Sequence, residues 1–142
     1  MTKSERFKPI QQIAEKKERD AAAAFGKTLR DREEAEKRLQ ELQRYLSEYT
    51  ERFEQATRNG IGAARVQEYQ AFICKLEAAL SEQQRMLNEA QHRCDASKAQ
   101  WAGKLTKAKA VDNAVDRMRQ EESHQQERKE QSLSDDHSQR RR

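Results

Sequence analysis

The stretch Arg58-Asn59-Gly60-Ile61-Gly62-Ala63 separates two long segments that together contain one proline and two further glycines. Asn and Gly accept the left-handed backbone conformation that ends a helix, so this stretch predicts a helix stop followed by a reversal. A connection this short between two helices places them side by side and antiparallel. We therefore expect two helical arms joined at Asn59-Gly60, with the turn near residues 58–63.

Apolar residues after the turn recur at alternating steps of three and four, with interruptions at Gln83, Ser97 and Lys104. This heptad spacing indicates a seam of a left-handed coiled coil. The series is Val66, Tyr69, Ile73, Leu76, Leu80, Gln83, Leu87, Ala90, Cys94, Ser97, Trp101, Lys104, Ala108, Val111, Val115 and Met118.

The segment before the turn carries the same repeat, and it is strongest between Ala35 and Ala56. Folding the chain at the turn pairs positions whose numbers sum to about 118, so that apolar residues face each other on the two arms. The predicted pairs include Phe53 with Val66 and Tyr49 with Tyr69, and Trp101 falls opposite Glu18 as a seam residue. The series is Ala14, Glu18, Ala21, Phe25, Thr28, Arg32, Ala35, Leu39, Leu42, Leu46, Tyr49, Phe53 and Ala56.

The composition suits a narrow seam rather than a thick core. Apolar residues make up 34% of the 142 residues and charged residues 38%, whereas a globular domain usually carries close to half apolar residues. The predicted fold is all-α, a long antiparallel two-helix coiled-coil hairpin over residues 1–122. Periodicity is lost after Glu122, and we expect residues 123–142 to form a polar, disordered tail or a frayed end of the helix.

Charge and reactive residues exclude several functions. The net charge of +4 comes from 29 basic and 25 acidic residues mixed along the chain, which is typical of solvated helix faces and argues against nucleic-acid binding. The histidines have no partners at metal-ligand spacing, and Cys74 and Cys94 lie roughly 30 Å apart on one predicted helix. We therefore expect no enzyme activity, no cofactor, no metal and no disulfide. The absence of a long apolar segment predicts a cytoplasmic protein without membrane insertion.

Two aromatic residues exceed what the seam requires. Tyr45 stands beside Leu46, and Phe72 stands beside Ile73, at one level of the predicted hairpin. Wide helical interfaces often cover their cores with such side chains. Aromatic residues on a charged surface also anchor partners, and we favour this second interpretation.

The same residues resemble the flagellar type III export protein FliJ over residues 5–120, with the turn at the same place. The resemblance is carried by Tyr45…Glu48-Tyr49, Asn59-Gly60-Ile61, Tyr69-Gln70-Ala71-Phe72-Ile73, Leu76-Glu77 and Ala79, and near the start by Ala14-Glu15-Lys16 and Ala21-Ala22.

The resemblance implies a non-enzymatic, cytoplasmic component of flagellar protein export that is peripherally associated with the inner membrane. It implies a stalk that binds the export ATPase hexamer, the cytoplasmic domain of the export gate and export chaperones. Rival interpretations are a stalk of a virulence-type III secretion system and a generic coiled-coil chaperone or adaptor. The implied gate-binding residues are Leu42, Tyr45, Tyr49, Phe72, Leu76 and Ala79. The implied ATPase-facing residues are Phe7, Ile10, Ile13, Val111, Val115 and Met118.

Overall fold

The computed structural model describes residues 1–141 and contains two α-helices in that range. Helix α1 spans Lys3–Asn59 and helix α2 spans Ala63–Arg140. Abundant Ala, Glu, Lys, Gln and Arg favour helix throughout both segments. The predicted fold class, an all-α helical hairpin, is confirmed.

The reversal falls on the three residues between the helices. Gly60 adopts a φ of 81°, a left-handed conformation that glycine enters without the clash a Cβ would cause. Its N–H donates to the carbonyl of Thr57 at 3.2 Å, which satisfies one of the free carbonyls at the end of α1. The carbonyl of Gly62 accepts from the N–H of Val66 at 3.2 Å and so starts α2. The turn predicted from Asn59-Gly60 is therefore where the structure places it.

Contacts divide the chain into two compact units. The turn unit comprises Ala24–Lys98. The terminal unit comprises Met1–Ala23 together with the part of the chain from Ala99 onward. Each unit pairs a segment of α1 with a segment of α2, so each has its own stretch of seam.

In the turn unit the seam buries Leu39, Ala90 and Cys94. Gln83 is also buried, and its side-chain amide donates to the carbonyl of Ala35 at 3.0 Å, a pair whose numbers match the predicted register. The polar interruption of the heptad pattern is thus accommodated by a hydrogen bond between the helices.

Aromatic pairs continue the seam of the turn unit toward the turn. The rings of Phe53 and Tyr69 lie 5.5 Å apart, and those of Tyr49 and Phe72 lie 4.3 Å apart. Each contact lies three residues further along α2 than the predicted pair. In a coiled coil a seam side chain inserts between several residues of the facing helix. Phe53 therefore also reaches the next seam position, Tyr69, and Tyr49 reaches Phe72, which stands beside the seam position Ile73.

In the terminal unit the seam is built from small side chains, with Ala14, Ala108 and Val115 buried. Trp101 is half-buried, and its indole N–H donates to Glu18 Oε1 at 2.9 Å, as expected for a seam residue opposite Glu18.

Polar contacts also join the helices of the terminal unit. The amide of Gln11 donates to Asp112 Oδ1 at 2.8 Å. Ser4 donates from both its N–H and its hydroxyl to the carboxylate of Glu122. The two helices are therefore held together by side-chain hydrogen bonds as well as by apolar packing.

One expectation about the ends of the helices differs from the structure. Residues 123–140 continue α2 as helix, in place of the expected disordered tail, and their side chains are exposed. The lost periodicity there reflects the lack of a facing helix, whereas the absence of Pro and Gly still permits helix. Pro9 lies in the second turn of α1, beyond the first turn in which proline is best tolerated.

Candidate partner-binding surfaces

The turn unit displays the predicted aromatic residues at its surface. Tyr45 is 47% exposed and Phe72 is 40% exposed. Of the other residues implied for the gate contact, Leu42, Tyr49 and Leu76 are half-buried and Ala79 is exposed. The structure thus separates these six residues into exposed positions and positions that help form the seam.

The contact between Tyr49 and Phe72 joins the implied gate-binding residues of α1 to those of α2. The ring planes are tilted by 38° with the centroids 4.3 Å apart, an arrangement that aromatic pairs favour. Phe72 packs against Tyr49 and remains 40% exposed. Tyr45 is flanked by Arg44, whose Cζ lies 5.6 Å from the centre of the tyrosine ring.

A cavity of about 230 Å³ opens beside this ring pair. Three of its lining residues, Arg52, Arg65 and Glu68, are charged and exposed. The sequence interpretation assigned no binding role to these three. One signal that could have found them is Arg65 itself, which lies in the first turn of α2, where a positive charge is unfavourable. The cavity is lined by Tyr49, Arg52, Arg65, Glu68, Tyr69 and Phe72.

The terminal unit carries a second apolar surface. Ile10 is 48% exposed and Ile13 is 56% exposed. They lie one helical turn apart on α1 and share a cavity of about 210 Å³ with Val111 of α2, flanked by Lys17 and Lys107. The predicted ATPase-facing residues on the two helices therefore meet at one place.

The remaining ATPase-facing residues are less available to a partner. Val115 is fully buried, so it packs between the helices and presents no surface. Phe7 and Met118 are half-buried, and Met118 lines a separate cavity with Thr2, Lys3 and residues 121, 122 and 125. The structure thus favours Ile10, Ile13 and Val111 as the accessible part of this set.

The ion pairs among the described residues join side chains three or four positions apart on the same helix. Arg85 forms ion pairs with both Glu82 and Glu89, through Nη2 to Glu82 and through Nη1 to Glu89. The hydrogen bond that Arg85 donates to Glu82 lowers the pKa of Glu82. The same hydrogen bond, together with the negative charges of Glu82 and Glu89, raises the pKa of Arg85. Such pairs are typical of solvated helix faces.

Glu122 is the other carboxylate whose pKa departs from the ordinary value. The hydroxyl of Ser4 donates to it at 2.6 Å and the N–H of Ser4 at 2.9 Å. These hydrogen bonds, with a smaller contribution from the charge of Arg119, lower the pKa of Glu122 because they stabilise its ionised form.

Neither a cluster of metal-binding side chains nor a membrane-spanning helix is found among the described residues. Between residues 1 and 141, no three His, Cys, Asp or Glu side chains cluster closely enough to hold a metal ion. No helix in that range is long and apolar enough to cross a membrane. Both cysteines are free thiols, with Cys74 exposed and Cys94 buried.

Comparison with known proteins points to one family. A family model described as flagellar FliJ protein matches residues 2–142. The flagellar FliJ protein of Salmonella typhi is 31% identical over 108 residues, which cover 76% of this chain and 74% of that protein. The flagellar FliJ protein of Escherichia coli strain K12 is 31% identical over 101 residues, which cover 71% of this chain and 69% of that protein. No solved structure matches the chain significantly. This chain therefore belongs to the flagellar FliJ protein family.

Proposed function

We propose that this chain is a non-enzymatic stalk of the flagellar type III export apparatus, where it links the export ATPase hexamer to the export gate and to export chaperones. Its role is in flagellum assembly and motility, at the cytoplasmic side of the inner membrane. Family membership supports the broader statement that the protein is related to flagellar export. The finer assignment of partners rests on the surfaces of the two units.

The observation that carries the proposal is the exposed pair Tyr45 and Phe72 on the turn unit. Burying an aromatic side chain removes a large apolar area from water, and such residues dominate binding at interfaces. Phe72 already packs against the ring of Tyr49, so docking would immobilise little additional side-chain motion and would cost little conformational entropy. We assign this surface to the cytoplasmic domain of the export gate.

The surface formed by Ile10, Ile13 and Val111 supports a second contact, on the terminal unit. It is apolar in a chain that is otherwise rich in charge, and it is separate from the aromatic surface in sequence. We assign it to the export ATPase. Each unit then carries one partner surface, as an adaptor between two proteins requires.

The family match favours flagellar export over the virulence-type stalk. A nucleic-acid-binding arm would need basic residues concentrated on one face, whereas Lys16-Lys17-Glu18-Arg19-Asp20 alternates basic and acidic residues. A generic chaperone would not need two separate apolar surfaces.

The test of the gate contact is a titration of the purified chain against the cytoplasmic domain of the export gate. The Tyr45→Ala/Phe72→Ala double variant is compared with wild type and with Met86→Ala. Met86 is a matched control because it is also 40% exposed and lies on α2 of the same unit. We expect the double variant to bind at least about 30-fold more weakly, since anchor residues contribute roughly 2 kcal/mol or more.

Met86→Ala should bind as wild type does. If the double variant binds the gate normally and instead loses thermal stability, Tyr45 and Phe72 only cover the seam, and the assignment of this surface is wrong. Failure of the wild-type chain to bind the gate would reject the gate contact itself.

A further inference from the structure

The cavity beside Tyr49 and Phe72 combines aromatic walls with two arginines. The rings of Tyr49, Tyr69 and Phe72 form its apolar part, and Arg52 and Arg65 line it from α1 and α2. A site of this kind suits a ligand with an apolar portion and a negative group.

No carboxylate among residues 1–141 neutralises the charge of Arg52. Its Cζ lies 5.3 Å from the centre of the Tyr49 ring, and no Asp or Glu among residues 1–141 comes within 4.0 Å of its nitrogens. Arg85 in the same unit shows the contrast, since it pairs with Glu82 and with Glu89. The guanidinium of Arg52 is thus held over a ring with its donors available.

Arg65 is placed where a positive charge opposes helix stability. It lies in the first turn of α2, which contains no acidic residue, and the start of a helix already carries partial positive charge. In residues 1–141 no carboxylate forms an ion pair with Arg65 either. An anionic group of another molecule would offset the positive charges of both Arg52 and Arg65.

Glu68 also lines the cavity and reduces its positive charge. It is exposed and forms no ion pair with Arg65 or Arg52 within the described residues. The cavity therefore keeps an excess of one positive charge, which is enough to favour a single carboxylate over a basic or neutral group.

We infer that this cavity binds an acidic side chain of the docking protein, with its carboxylate on Arg52 and Arg65 and an adjacent apolar side chain against Phe72. Guanidinium–carboxylate hydrogen bonds are directional and strong, so they would fix the orientation of a partner that the rings attract. The inference rests on the proposed docking of the export gate and specifies its chemistry.

The test uses the full chain and the cytoplasmic domain of the export gate as the probe. Arg52→Gln, Arg65→Gln, the double variant and Arg93→Gln are titrated at low and at moderate salt. Arg93 is the matched control, because it is exposed, lies in the same unit and has no ion pair among the described residues. Circular dichroism of each variant checks that it stays folded.

We expect each cavity variant to weaken binding about tenfold and the double variant more, as for loss of a charge-assisted hydrogen bond. The double variant should also lose most of the salt dependence of binding. Arg93→Gln should bind normally, and Glu68→Gln should bind more tightly because it removes a repulsive carboxylate.

Normal binding by the Arg52→Gln/Arg65→Gln variant, together with weak binding by Tyr45→Ala/Phe72→Ala, would overturn the acidic ligand and leave the gate contact standing. If wild type does not bind the gate, the inference and the proposed gate contact both fall.

Discussion

Ser4 donates two hydrogen bonds to Glu122, from its N–H at 2.9 Å and from its hydroxyl at 2.6 Å. The N–H groups in the first turn of a helix have no partner within that helix. A carboxylate from α2 therefore caps the start of α1 and joins the two helices of the terminal unit. The negative charge of Glu122 also suits the partial positive charge at a helix start.

This cap should depend on pH. The pKa of Glu122 is lowered by the two bonds from Ser4, so its stabilising contribution is present above the unfolded-state pKa and is lost as pH falls through the lower folded-state pKa. Carbon-13 NMR of the Glu122 carboxyl should give a titration midpoint below that of an ordinary glutamate. In Ser4→Ala, which lacks the hydroxyl, the midpoint should move upward, and an unchanged midpoint would contradict the assignment.

Val115 should contribute to stability and Ile13 should not. Val115 is fully buried and Ile13 is 56% exposed in the same unit. Val115→Ala leaves a cavity in the seam, and we expect it to lower the free energy of unfolding by about 2 kcal/mol. Ile13→Ala should change it by less than about 0.5 kcal/mol. Urea unfolding followed by circular dichroism measures both, and equal effects would show that Val115 is not a packing residue.

Two glycines should respond in opposite ways to alanine. Gly60 has a φ of 81°, so Gly60→Ala forces a Cβ into the left-handed region and should cost about 1–2 kcal/mol. Gly103 lies inside α2, with nothing within 4 Å of an added Cβ. Gly103→Ala should therefore stabilise the protein by about 0.5–1 kcal/mol. Thermal unfolding of the two variants checks the signs, and a stable Gly60→Ala protein would place the reversal elsewhere.

Exposed isoleucines of the terminal unit should be needed to stimulate the export ATPase. Ile10→Asp/Ile13→Asp places charge on an exposed apolar surface without touching the buried seam. We expect the variant to need about tenfold more protein for equal stimulation, since it loses apolar anchor contacts. The control is Leu133→Asp, because Leu133 is 69% exposed and lies outside that surface. Full stimulation by the isoleucine variant would reject this contact.

Much of the fold could be predicted from the sequence, because its determinants are local or periodic. Asn59-Gly60 predicted the reversal, and the heptad series predicted the seam that buries Leu39, Ala90 and Val115. A continuous helix over residues 123–140 was not predicted, because periodicity reports packing against a facing helix. It does not report the intrinsic preference of Gln, Glu and Arg for helix.

The candidate site could be predicted only in part. Tyr45 and Phe72 were identifiable as apolar residues in excess of the seam. Arg52 and Arg65 were not, because their joint position beside the rings arises from residues on two helices. The position of Arg65 in the first turn of α2 was a signal for that residue alone, and in a sequence where a fifth of the residues are Lys or Arg nothing singles out Arg52.

The helical continuation of α2 over residues 123–140 has a consequence for how the protein melts. These residues have exposed side chains, with Leu133 as their single large apolar residue, so their order depends on propensity and local ion pairs alone. Such a helix unwinds gradually from its end. Helical signal should therefore decline steadily on warming before the paired helices separate, and trypsin should remove this segment first and leave a resistant fragment that retains Glu122.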